Sequence, residues 1–122
     1  MLGSRRGAPA IDWLRRVDAA FRPSCVERRL ARGEVVLLDV RPEVEYRAGH
    51  IVGARSAPLG ALPSLASELR RRQEIVAYCR GPYCVYADDA VRLLRERGLK
   101  ARRLDVGYPE WRRAGLPVEI AG

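Results

Sequence analysis

Histidine occurs once in this chain of 122 residues, phenylalanine once, tryptophan twice and cysteine three times. Each scarcity excludes something. One histidine, with no second cysteine pair, argues against a structural zinc site, which needs four nitrogen or sulfur ligands. Three cysteines are an odd count and nothing marks the chain for export. A disulfide framework is therefore not expected, and a reactive thiol in a reducing compartment is. The near pair, Cys79 and Cys84, is spaced Cys-x4-Cys. That fits neither a zinc ribbon nor a thioredoxin-type Cys-x2-Cys motif. No apolar run approaches the length needed to cross a bilayer. The opening segment MLGSRRGAPAIDWLRR has early arginines but no apolar stretch behind them, so no secretory signal is read and a cytoplasmic location is expected. Internal repeats and low-complexity segments are also missing.

What the chain does have is arginine. Lys100 is its only lysine, and the net charge is +8. The basic residues are spread along the sequence, with few aromatics and none interleaved with them. This pattern disfavours a nucleic-acid face and fits a solvated basic surface, although a positive field still attracts small anions. Hydrophobic residues make up 48 % and charged residues 31 %, enough for a core in one compact domain.

Ile11, Leu14, Val17 and Phe21 recur at helical spacing, so residues 10–22 are expected to be helical, with Pro23 as the stop. Ser24 and Glu27 have the form of a capping box before a short helix over 25–31 that ends at Gly33. VVLLDV, residues 35–40, is a continuous apolar run of the kind found in strands buried on both faces. A short helix over 42–49, a strand over 54–57 and a helix over 62–72 follow. A second buried strand covers 75–79. Residues 85–97 form an amphipathic helix with Val85, Ala90, Val91, Leu93 and Leu94 turned inward, closed by Gly98. A strand over 99–104, a helix over 108–114 and the segment LPVE complete the chain. Strands alternating with helices predict an α/β fold, a central parallel β-sheet flanked by helices on both faces. Ligands of such folds bind outside the carboxyl ends of the strands, which is where Cys79 falls.

The turn CRGPYC, residues 79–84, leads directly into a helix. The first N–H groups of a helix lack internal partners and carry partial positive charge, so they attract anions. A thiol facing such an end can fall from a pKa of about 8.5 to about 3.5–7.5. Arg80 adds positive charge, Gly81 lets the turn curl, and Pro82 stiffens it. A thiolate in a cradle of N–H donors is a nucleophile that can carry a second anionic atom. Phosphoester chemistry is disfavoured. Cysteine phosphatases clamp their anion with an arginine six places after the cysteine, and that place here is Val85. A six-residue loop fits transfer of a single sulfur atom better.

These residues bring a family into view. The chain resembles a single-domain rhodanese, a persulfide-forming sulfurtransferase, from about Glu34 to Glu119. LLDVRPEVEYRAGHIVGA looks like that family's first signature, VAYCRGPYC like its active-site loop, and VGYPEWRRAGLPV like its closing motif. The loop is most similar to that of rhodanese domains fused to winged-helix regulators of the arsenic-repressor type. The resemblance implies a rhodanese-like domain over residues 34–122, with residues 1–33 as an N-terminal arm and helical cap. It implies that Cys79 is the catalytic nucleophile, taking a sulfane sulfur from a small anionic, thiosulfate-like donor and passing it to a thiol acceptor. Arg80, Gly81, Pro82, Tyr83, Cys84 and Val85 would hold the outer sulfur, and Asp39 and Arg41 would support the architecture. No metal, organic cofactor or membrane is implied, and oligomeric state is left open.

Two residues have alternative readings. Cys84 is either a small residue at the helix cap or a resolving thiol, which would make the domain a redox switch or reductase-like module working through a Cys79–Cys84 disulfide. His50 has no evident partner for a triad and is read as packed and hydrogen-bonded structural support. Cys25 is expected to be partly buried, and Trp111 and Tyr108 to lie in the core or at its rim.

Overall fold

The computed structural model describes residues 23–69, 73–81 and 84–121. The expected helix over 10–22, the basic segment 70–72, and Pro82 and Tyr83 lie outside the described residues. In chain order the elements are α1 (Pro23–Ala31), β1 (Val35–Asp39), α2 (Glu43–Ala48), β2 (His50–Ile51), β3 (Arg55–Ser56), a 3-10 turn (Leu59–Ala61), α3 (Leu62–Ala66), β4 (Glu74–Tyr78), α4 (Val85–Glu96), β5 (Lys100–Arg103), α5 (Tyr108–Arg113) and β6 (Val118–Glu119).

Four strands pair in parallel in the order β3-β1-β4-β5. β1 and β4 are the inner pair, in register from Val35 opposite Glu74 to Asp39 opposite Tyr78. Side chains alternate across a strand, and both faces are covered. Leu38, Val40, Ile75, Ala77 and Cys79 pack with Leu62 and Ala66 of α3 and with Ala87, Ala90, Val91 and Leu94 of α4. Val35, Leu37, Val76 and Tyr78 face the other way, against Val26 of α1 and Trp111 of α5. This two-sided burial is why β1 and β4 read as unbroken apolar runs. Burying a leucine such as Leu37 or Leu38 contributes roughly 1.5–3 kcal/mol.

Two helices that feed main-sheet strands stop in the same way. At the end of α4 the N–H of Gly98 donates to Arg95 O, and that of Leu99 to Leu94 O. At the end of α1, Gly33 and Glu34 donate to Leu30 O and Arg29 O. This closure needs a left-handed residue, and Gly33 and Gly98 have φ of 72° and 81°.

Several expectations need correction. α1 opens on Pro23 as its first residue, so Ser24 lies inside the helix and not ahead of it as an N-cap. The helix expected over 62–72 ends at Ala66 after a preceding 3-10 turn. Beyond it, Glu68 and Leu69 donate three residues back, to Leu65 O and Ala66 O, and Ser67 Oγ donates to Ser64 O. These tight bonds end the α ladder. Val85 faces outward at 59 % exposure, and Ala87 takes the inward place in the first turn of α4. A small antiparallel sheet, β2 with β6, joins His50 to Glu119 and Ile51 to Val118. Among the described residues no helix is long and apolar enough to cross a membrane.

Candidate functional site

β4 delivers Cys79 one residue past its carboxyl end, between Tyr78 and the loop, and leaves it 1 % exposed. The loop returns to Cys84, the N-cap of α4. The Cys84 N–H donates to Gly81 O at 3.2 Å, closing a turn. The Cys79 and Cys84 sulfurs are bonded, with their Cα atoms 6.2 Å apart. Cys84 gives the helix no side-chain cap bond, so the first N–H groups of α4 depend on other partners.

Three residues outside the loop fix its shape. Arg103, at the end of β5, donates from Nη2 to Gly81 O at 2.6 Å and from Nη1 to Cys84 O at 2.9 Å, and pairs with Asp88 Oδ1 at 2.7 Å. One guanidinium thus spans both sides of the turn. The Tyr108 N–H donates to Cys79 O at 3.0 Å. Gly107 lies so close beneath the loop that a Cβ there would overlap the backbone of Gly81 and Arg80.

The Arg80 side chain points away from the sulfurs. Its Nε and Nη2 grip both carboxylate oxygens of Glu45 on α2, at 2.6–3.0 Å, and its guanidinium lies 5.5 Å from the Tyr86 ring centroid. The hydrogen bond to Glu45 raises the Arg80 pKa, and the same bond holds the Glu45 carboxyl below its usual range.

Asp39 and Arg41 form a buried knot at the ends of β1 and β4. Asp39 is fully buried. It accepts from Arg41 Nε at 3.0 and 3.2 Å, Arg41 Nη2 at 2.7 Å, the Arg41 N–H at 3.0 Å and the Tyr78 hydroxyl at 2.6 Å. Arg41 Nη2 also donates to Gly49 O at 2.6 Å, and its guanidinium lies 4.4 Å from the Tyr108 ring centroid. Burial opposes the Arg41 charge, but hydrogen bonds and attraction from Asp39 outweigh it and raise its pKa. Burial, with the nearby Asp39 charge, pushes the Tyr78 phenol far up. Tyr78 faces the α1 and α5 side and Cys79 the α3 and α4 side. The knot therefore braces the strand ends from the face opposite the thiol.

His50 is 3 % exposed. Its ring stacks on Tyr46 at 3.7 Å between centroids, Nδ1 lies 2.7 Å from Tyr46 O, and Nε2 lies 3.3 Å from Glu119 Oε1. It is tied to α2 and β6. Cys25 is partly buried and is the free cysteine of the described residues. Trp111 is buried, with its indole N–H donating to Pro117 O at 2.9 Å.

Of the candidate residues the structure describes, Cys79, Gly81 and Cys84 converge on the loop, whereas Arg80 and Val85 turn their side chains outward. Arg103, Gly107 and Glu45 were not assigned these contacts from the sequence. Arg103 is one arginine among many, and Gly107 matters only because the loop folds onto it. Beside the loop, Val40, Pro42, Pro58, Leu59 and Tyr86 line a cavity of about 300 Å³ at the carboxyl ends of the strands.

Fold and loop together define an α/β domain with a cysteine at a helix-mouth turn. A rhodanese-like domain model matches residues 22–114, and the chain belongs to the rhodanese-like family. It is 54 % identical over 102 residues to the HTH-type transcriptional regulator Rv0324 of Mycobacterium tuberculosis, covering 84 % of this chain and 45 % of that one. It thus spans less than half the length of that relative. It is 33 % identical over 95 residues to a sulfurtransferase of Allochromatium vinosum, covering 76 % and 87 % of the two chains. Among solved structures, the BH2092 protein of Bacillus halodurans shares the fold, with a TM-score of 0.82 at 22 % identity over 94 % of this chain and 86 % of that one. A Lactobacillus plantarum protein matches with a TM-score of 0.77 at 27 % identity over 93 % and 98 %.

Proposed function

We propose that this domain is a sulfurtransferase in which Cys79 accepts a sulfane sulfur as a persulfide and passes it to a thiol. The observation that supports this reading is the position of Cys79, beyond the end of a central strand and across a closed turn from the start of α4. The reduced Cys79 sulfur attacks the outer sulfur of a small anionic donor such as thiosulfate. A new S–S bond forms, the donor's S–S bond breaks, and sulfite leaves with the bonding pair. The outer sulfur would then lie beside the N–H groups that open α4, which have no carbonyl partner within the helix and whose partial positive charge favours an anion there. An acceptor thiolate attacks that outer sulfur and Cys79 departs as thiolate. Both steps are displacements at sulfur that the thiols perform themselves. Cys79 must be reduced to begin, which fits a reducing, cytoplasmic setting. The resemblance to an HTH-type regulator makes a sulfur-responsive regulatory role a reasonable setting for the same chemistry.

Sulfite release tests this. The reduced chain, given thiosulfate, is expected to release one sulfite per protein and to gain one sulfur atom by intact mass. Cys79→Ser is expected to do neither, and undiminished release by that variant would overturn the proposal.

A second reading, a thiol redox switch, is favoured by the bonded sulfurs of Cys79 and Cys84. Oxidation would then close the pair directly, with no sulfur carried.

A further inference from the structure

We infer that Cys84 is an internal acceptor: it attacks the Cys79 persulfide, expels hydrosulfide and closes the Cys79–Cys84 disulfide. This rests on the sulfurtransferase reading above and adds a second product to it.

Four observations carry the inference. The fold brings the two sulfurs into bonding contact across the turn between β4 and α4. Contacts that do not involve sulfur close the same turn. The Cys84 N–H to Gly81 O bond and the Arg103 guanidinium on Gly81 O and Cys84 O hold the turn closed independently of either thiol. Cys84 does not perform the ordinary task of an N-cap side chain, since it makes no cap hydrogen bond. Serine, threonine or aspartate serves that task better, so capping does not account for a thiol here. Finally, Cys79 is 1 % exposed. An external acceptor must reach into the loop, whereas Cys84 already stands at it, with the rate advantage of an intramolecular step.

The step balances. The Cys84 thiolate attacks Sγ of Cys79 in its protonated persulfide. The bond between Sγ and the outer sulfur breaks, and that sulfur leaves with the bonding pair and its proton as hydrosulfide. The sulfane sulfur is reduced by two electrons and the two cysteines are oxidised to the disulfide. A small-molecule thiol or a dithiol protein then reduces the disulfide and becomes oxidised itself. Such a domain converts sulfane sulfur into hydrosulfide at the expense of thiols, and its disulfide records that sulfur has passed.

The test uses the full chain in a Cys25→Ser background, so that only the loop thiols react. The reduced protein is loaded with one equivalent of inorganic polysulfide under argon, desalted, and followed by intact mass and a hydrosulfide assay with no added thiol. The parent chain is expected to end two hydrogens lighter than its reduced form and to release about one equivalent of hydrosulfide. Cys84→Ser is expected to retain the extra sulfur and release none. Its hydroxyl can cap α4, so loss of the helix is not the expected cause. Retention of the extra sulfur by the parent chain, or equal hydrosulfide release from Cys84→Ser, overturns the inference. Because polysulfide loads thiols without catalysis, the two ideas stay separable. Failure to release sulfite from thiosulfate overturns the sulfurtransferase reading, and failure to release hydrosulfide after loading overturns the Cys84 step.

Discussion

Arg103 donates to the carbonyl oxygen of Gly81 at 2.6 Å, so the end of β5 grips the turn between the two loop cysteines. The same guanidinium reaches Cys84 O and Asp88. Planar fork geometry makes this possible, and lysine cannot reproduce it. Arg103→Lys is expected to lower sulfur transfer roughly ten- to hundredfold, the scale of a small misplacement of reacting groups. The folding loss should be only about 1 kcal/mol, since the Arg103 side chain is part-exposed. Sulfite release against thiosulfate concentration, beside a thermal melt, checks both. A variant with full activity would show that the loop holds its shape without the clamp.

Gly107 is constrained by space. An added Cβ would overlap the backbone of Gly81 and Arg80, and backbone cannot swing aside as a flexible side chain can. Gly107→Ala is expected to push the loop off the sheet, with a stability loss of about 1–3 kcal/mol and a larger fall in activity than Arg103→Lys gives. Gly60→Ala is the control, because a Cβ there meets nothing within 4 Å. Equal behaviour of the two alanine variants in denaturant unfolding and sulfite release would count against the close approach.

Asp39 and Arg41 are expected to act on stability first. Removing one member strands a buried charge, which costs about 3–5 kcal/mol. Arg41→Met should fall in that range by urea unfolding. Tyr78→Phe, which removes the hydroxyl between Asp39 and the Ile51 N–H, should lose about 1–3 kcal/mol. Since the knot lies on the face opposite Cys79, Tyr78→Phe should retain most of its sulfite release under conditions where it is fully folded. A loss of activity without a loss of stability would place the knot in the chemistry.

How much of this was legible beforehand depends on where the cause of each feature lies. β1 and β4 were readable because burial on both faces writes itself into sequence as an apolar run. The place of Cys79 was readable on the same ground, since it ends such a run before a glycine turn and a helix. β2 and β6 were not readable: two residues carry no period, and their pairing joins parts far apart in the chain. The helix begun at Leu62 looked longer because its composition continues helical, while the tightened bonds after Ala66 leave no periodic trace. Val85 sits on the exposed side of the first turn of α4, where an apolar letter misleads. Arg103 and Gly107 act through the backbone of a distant loop, and only folding reveals such contacts.

Glu45 gives a pH signature for the outer wall of the site. Its hydrogen bond from Arg80 lowers its folded-state pKa below the ordinary 4.5. A depressed carboxyl stabilises the fold at pH values above its unfolded pKa, and that contribution fades as pH falls through the folded value. The stability difference between the parent chain and Glu45→Gln should therefore be constant near neutral pH and shrink progressively below 4.5. The effect should be small, because Arg80 is half exposed and water screens the pair. Urea unfolding of both chains across that range measures it. A difference that grows on acidification would mean that Glu45 binds its proton more tightly in the fold than in the unfolded chain, and that the grip on Arg80 is not what the carboxylate contributes.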